Sequence, residues 1–197
     1  MEKNDLTIKT NSFTIESLFK HSFKNFVDNI IVCIANTIIA FIISFLLAIT
    51  VIGIFAIPAI WGGYVHSIIK MNLGQKIEIG KFFRAGFNSW STLLFTNIIY
   101  FLGIFLGLLA LIIPGMYLMV RWIFIIQIIM HEGLSISEAF SKSGSMISNK
   151  FWEVATVFVI CTIIETIGGI FGILAIATIP YVSIVLSKYY ILNLENN

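Results

Sequence analysis

Four ionisable side chains stand in the apolar stretches of this sequence: His66, Arg121, Glu165 and Lys188. A charge within hydrocarbon costs roughly 3 kcal/mol unless it is paired or faces a polar interior, so such residues mark candidate ion or substrate sites. Their spacing is regular. His66 follows Pro58 by eight residues, Arg121 follows Pro114 by seven, and Lys188 follows Pro180 by eight. If each proline opens a helix, the three basic groups share one depth, about 10 Å from the turn at 1.5 Å per residue. Glu165 stands at a similar depth on the helix that enters the last turn. One reading is an Arg121–Glu165 pair joining the fourth and fifth spans, with His66 and Lys188 completing an intramembrane polar cluster that acts as a binding site or a clamp. The other is that these side chains reach water separately at the interfaces. The pair is the expectation carried forward.

Other chemistry is poorly represented. His131-Glu132 runs into Gly133-Leu134-Ser135, so the second histidine of a zinc protease helix is missing. His21, His66 and His131 are scattered, and Gly62-Gly63 is not followed by the Lys-Ser/Thr of a phosphate loop. No catalytic residue, metal site or cofactor is assigned, and the chain is not expected to be an enzyme. Cys33 and Cys161 lie in apolar runs and read as buried small hydrophobes. Asn36 and Asn97 read as interhelical hydrogen-bonding amides. Gly103-x-x-x-Gly107 and Gly168-x-x-x-Gly172 read as close helix packing, within one chain in preference to a dimer seam.

The elements that would position these residues follow from hydropathy. The chain has 197 residues, 58% hydrophobic and 11% charged. Soluble domains carry about 25% charged residues, and a chain of this size could not hide so much apolar surface from water. Asn29–Ile69 and Ala85–Val120 hold no charged residue, and Val154–Ser187 holds only Glu165. One span needs about 20 residues, so each stretch makes a hairpin of two. All three prolines follow isoleucine in such stretches, as Ile57-Pro58, Ile113-Pro114 and Ile179-Pro180. Proline suits the first turn of a helix and stops the one before it, so the three pairs are expected to be the hairpin turns. The expectation is an all-α membrane protein of six transmembrane helices in three hairpins, near 28–50, 56–72, 90–112, 114–131, 150–172 and 176–193. Residues 1–11 form a polar tail, residues 12–197 a single six-span domain, and no secretory signal opens the chain.

Short amphipathic segments precede each hairpin. Ile15, Leu18, Phe19, Phe23 and Phe26 share a helical stripe, as do Ile79, Phe82, Phe83, Phe87 and Trp90, and then Ile136, Ala139, Phe140, Gly144 and Ile147. They are expected to lie in the interface as elbows, the third opened by the capping box Ser135-x-x-Glu138. The repeating unit is therefore elbow, span, Ile-Pro turn, span. The Ile-Pro turns carry no Lys or Arg. Every Lys and Arg but Arg121 belongs to the opposite side, with Lys188 counted to the C-terminal end. Basic residues favour the cytoplasmic side, so both termini are expected there and the turns outside. Trp90 and Trp152 would mark the inner boundary, Trp61 and Tyr117 the outer one. The net charge of +2 and the absence of a basic run exclude nucleic acid as a partner. Membrane lipids, another membrane protein or a second copy of the chain are the expected partners.

One stretch resembles a bacterial pattern. It reads Ile-Pro-Gly-Met-Tyr-Leu-Met-Val-Arg over 113–121, then His-Glu-Gly-Leu-Ser-Ile-Ser-Glu-Ala-Phe-Ser-Lys-Ser over 131–143 and Lys-Phe-Trp over 150–152, with Pro180-Tyr181 and Tyr189-Tyr190 near the end. This resembles the uncharacterised six-helix integral membrane proteins of bacteria, a group similar to the membrane domain attached to some glycerophosphodiester phosphodiesterases. The resemblance covers 113–152 and is loose over the first hundred residues. It implies a helical bundle in the plasma membrane and no particular activity. The leading functional expectation is a non-catalytic membrane protein that supports or regulates other membrane components in lipid handling or export. The alternative is a small transporter or channel subunit using the polar cluster.

Overall fold

A computed structural model describes residues 14–195 of the chain. The polar tail assigned to 1–11 lies outside them. The described residues form eleven helices and no strand. They are α1 (Ile15–Asp28), α2 (Ile30–Ala48), α3 (Val51–Ile54), α4 (Ile57–Asn72), α5 (Phe82–Asn88), α6 (Trp90–Ala110), α7 (Ile112–Arg121), α8 (Ile125–Glu132), α9 (Ile136–Ile147), α10 (Phe151–Ile170) and α11 (Ala175–Glu195). Six helical stretches are long and apolar enough to cross a membrane: Ile30–Ala48, Val51–Asn72, Trp90–Ala110, Ile112–Glu132, Phe151–Ile170 and Ala175–Leu194. The chain is therefore a polytopic all-α membrane protein, and the six expected spans are found within a few residues of their expected ends.

The repeat closes into a ring. In each unit the first span packs on its own second helix: α2 on α4, α6 on α7, α10 on α11. Each elbow and first span also pack on the second helix of the unit before. Thus α5 and α6 meet α4, while α9 and α10 meet α8 and α7. The first unit has no predecessor, and its α1 and α2 pack on α11, the last helix of the third. Burial follows this order. Second helices bury 50%, 39% and 39% of their most apolar windows, against 22%, 17% and 22% for first helices. The second helices line the centre, and the first helices form an apolar perimeter.

The chain reverses earlier than the prolines. In the first hairpin, Thr50 caps α3: its hydroxyl accepts the Gly53 N–H at 3.0 Å and donates to the Leu47 carbonyl at 3.1 Å. In the second, Leu111 is a single extended residue, φ −166° and ψ 146°, between α6 and α7. In the third, Gly172 adopts φ +59° between α10 and α11. Pro58 and Pro114 lie in the first turns of α4 and α7, where a missing N–H costs nothing. Pro180 lies inside α11, six residues in, so the expected third turn is corrected: that proline interrupts a helix. The tips around Thr50, Leu111 and Gly172 carry exposed Ile, Leu, Val and Phe and no charged residue.

The elbows differ from expectation as well. Small residues let them run back along the preceding second helix. A Cβ on Gly63 would meet the Phe82 carbonyl, and one on Gly86 the Ala59 carbonyl, so α5 and α4 touch backbone to backbone. In the third unit Lys142 meets Glu132, Phe140 meets Trp122 and Gly144 lies against Arg121. Helix α9 thus packs along both α7 and α8. As a result, Trp90, expected at the inner boundary, meets a residue just before the Ile57-Pro58 pair, and Tyr117, expected at the outer one, meets the neighbour of Trp152. Trp90 Nε1 donates to the Phe55 carbonyl at 2.8 Å, and the Tyr117 ring stacks on Phe151 at 5.2 Å.

Candidate functional site

The four ionisable residues take separate places. Arg121 ends α7, where its Nη1 donates to the Tyr117 hydroxyl at 2.8 Å. Its guanidinium lies against Gly144 of α9, where a Cβ would fall 2.9–3.0 Å away, and its carbonyl accepts the Ser143 hydroxyl at 2.9 Å. Arg121 therefore clamps the third elbow. Glu165 is exposed on α10, on the same helical face as buried Cys161 and Gly168, and no ion pair or hydrogen bond engages it among the described residues. No ion pair joins Arg121 to Glu165 among the described residues. His66 Nδ1 faces the Met130 carbonyl at 2.8 Å and ties α4 to α8. Lys188 is half-buried on α11.

The packing glycines divide. A Cβ on Gly103 would lie 2.6 Å from the Trp122 ring, one on Gly107 3.0 Å from the Gly115 Cα, and one on Gly168 would collide with Thr178. All three contacts lie within a hairpin of this chain. Gly172 has nothing within 4 Å of its Cβ position, so its role is the left-handed turn rather than packing. Cys33 and Cys161 are free and buried. Asn36 pins a loop, its Oδ1 accepting the Gly80 N–H at 2.8 Å, while Asn97 bonds only the Leu93 carbonyl one turn back in its own helix.

Residues of the bacterial pattern form a polar lattice joining α8, α9 and α11. Glu132 accepts the Tyr190 hydroxyl on one oxygen at 2.7 Å and the Lys142 ammonium on the other. His131 Nδ1 lies 3.2 Å from the same Tyr190 hydroxyl. Gly133 stops α8 in the left-handed conformation, φ +68°. The Ser135 hydroxyl and N–H both donate to Glu138, completing the expected capping box. Beside them the Tyr189 hydroxyl donates to Glu153, and Lys150 donates to the Asn193 side chain. These polar side chains are occupied with one another. Among the described residues no group of His, Cys, Asp and Glu could hold a metal ion.

The candidate site lies instead at the junction of α4, α6, α8 and α11. A hollow of about 350 Å³ opens there between Trp61, Val65, Asn97, Ile126, Gln127 and Ser183. A smaller one of about 210 Å³ shares Asn97 and Ile126 with it and adds Thr96, Tyr100 and Trp122. No charged side chain lines either. Gln127 is only 5% exposed, and its Oε1 has no hydrogen-bond partner. Thr96 is fully buried, and its hydroxyl is unpartnered too. A buried polar group without a partner costs about 1–3 kcal/mol, so such groups mark places completed by something else. A larger hollow of about 550 Å³ runs along α1 past Lys20, His21 and Lys24, but all its walls come from that helix and the residue capping it.

The sequence reading missed Gln127, Thr96 and Ser183. The signal for Gln127 was present, since it is an uncharged amide in a span like Asn36 and Asn97. What was hidden was its facing helix. No protein-family model, no curated protein and no solved structure matches the chain.

Proposed function

We propose that this chain is a non-catalytic polytopic membrane protein that handles membrane lipid in support of other membrane components. Its proposed setting is a bacterial plasma membrane with both termini cytoplasmic. The observation that carries this reading is the hollow at the helix junction, which is walled by apolar side chains and furnished with uncharged polar ones. Ions and charged solutes need charged or dense polar coordination inside a bilayer, whereas a lipid segment is matched by apolar walls and a few hydrogen-bonding groups. The ionisable groups serve packing in this reading: His66, Glu132 and Glu153 have partners on neighbouring helices, and Arg121 lies against Gly144 of α9. The resemblance to bacterial six-helix membrane proteins agrees with this setting. Even-numbered spans return both termini to one side, and the placement of Lys and Arg makes that side the cytoplasm.

The test has two parts. Protein purified in mild detergent is analysed by mass spectrometry, and the expected result is retained lipid whose class profile differs from the bulk membrane. Proteoliposomes are then assayed for solute and ion flux, and the expected flux equals that of empty vesicles. Retained lipid that mirrors the bulk membrane, or flux abolished by substitution at Glu165, overturns the reading in favour of a transporter.

A further inference from the structure

We propose that the hollow between α4, α6, α8 and α11 is a binding site for an uncharged, lipid-derived alcohol, with Gln127 as the residue that recognises the hydroxyl. The proposal rests on the lipid-handling reading and names the ligand class.

Three observations carry it. The first is size: about 350 Å³, with a further 210 Å³ next to it, reaches the range of small-molecule sites. It admits an alkyl segment and a small head, not a whole phospholipid. The second is the lining. Trp61, Val65 and Ile126 offer apolar wall, and no Lys, Arg, Asp or Glu faces the space, so a charged head would be desolvated without compensation. The third is Gln127 itself. Its side chain is 5% exposed, lines the hollow and bonds to no described residue, and its Oε1 is a buried acceptor without a donor. A carboxamide presents an acceptor and a donor side by side, and a hydroxyl presents a donor and an acceptor on one atom. An alcohol therefore satisfies the amide where an alkane leaves it bare. An ester or ketone carbonyl could take only the amide N–H and would leave Oε1 unmet. Ser183 lines the same space and can accept or donate a second bond.

Trp61 supplies the readout, because it lines the hollow and bromine quenches indole fluorescence on contact. The full-length protein in nanodiscs is titrated with 12-bromododecan-1-ol, 1-bromododecane and 12-bromododecanoate at neutral pH. The alcohol is expected to give saturable quenching that is absent in Trp61→Phe and about tenfold tighter than that of the alkane or the carboxylate. Gln127→Met, close in shape and free of the buried unmet amide, is expected to keep the fold and lose the preference for alcohol. Ser183→Phe, which fills the space, is expected to remove saturable quenching of Trp61 by all three probes. Equal binding of alcohol and alkane overturns the proposal, as does a preference that survives Gln127→Met or tighter binding of the carboxylate. If the alcohol fails while purified protein still retains a distinct lipid profile, lipid is held elsewhere: the site assignment falls and the lipid-handling reading stands. If both fail, the reading falls with it.

Discussion

A carboxylate left without a partner in a span is a local liability, and Glu165 shows how far a single side chain can depart from its expected partner. A mutual pair would make Glu165→Gln and Arg121→Ala similarly destabilising. The arrangement found predicts opposite signs. Glu165→Leu removes an unpaired polar group from an apolar face and should raise stability by about 1–3 kcal/mol. Arg121→Ala severs the bond to Tyr117 and the packing over Gly144 and should lower it by about 1–3 kcal/mol. Reversible unfolding in mixed micelles distinguishes these outcomes. At Glu138, bonds from the Ser135 hydroxyl and then its backbone N–H hold the carboxyl below its ordinary value. Its contribution to the start of α9 should be complete above about pH 4.5 and lost as pH falls through the depressed value. Corrected for the intrinsic pH dependence of exchange, the protection of the first α9 amides should fall over that window, and Glu138→Gln should flatten the response.

Helices touch here by omission of side chains. The α4–α5 seam depends on Gly63 and Gly86, where an added methyl meets carbonyl groups rather than a movable side chain. Gly86→Ala should cost about 1–3 kcal/mol through overpacking and should displace α5, with faster proteolysis of the 73–81 loop as its sign. Across the polar lattice, Tyr190→Phe and Glu132→Leu should each lower the thermal midpoint. Because they break the same 2.7 Å bond, the double variant should lose less than the two single effects added. The limits of the sequence are visible at this scale. The six spans were legible because hydropathy is a local property, so Trp90–Ala110 could be foreseen as 90–112. The turns were misplaced because proline is welcome throughout the first turn of a helix. It marks a helix start within a few residues and, at Pro180, not even that. The polar partners were illegible because which side chains meet depends on rotation and stagger. Neither is encoded in a hydropathy profile, and both decide that Arg121 meets Gly144 and that Gln127 meets a hollow.

The ring of three units makes the chain's first described helix a partner of its last. Tyr181 on α11 is surrounded by Phe19, Phe23 and Phe26 of α1, and its hydroxyl donates to the Phe19 carbonyl at 3.3 Å. Deleting residues 1–28 should therefore destabilise the third unit more than the second, even though the second is nearer in sequence. Limited proteolysis of the truncated protein should cut first around α10 and α11. The threefold repeat was legible from the three elbows, but its closure was not, because no local pattern states that α1 packs on a helix more than 150 residues away.

The greasy tips at Thr50, Leu111 and Gly172 have a consequence for biogenesis. No hydrophilic loop has to be hauled through the bilayer, and even the Thr50 hydroxyl is satisfied by its own backbone neighbours. Each hairpin can enter as one wedge, tip first, so its insertion needs an apolar doorway and not a motor that threads polar polypeptide across.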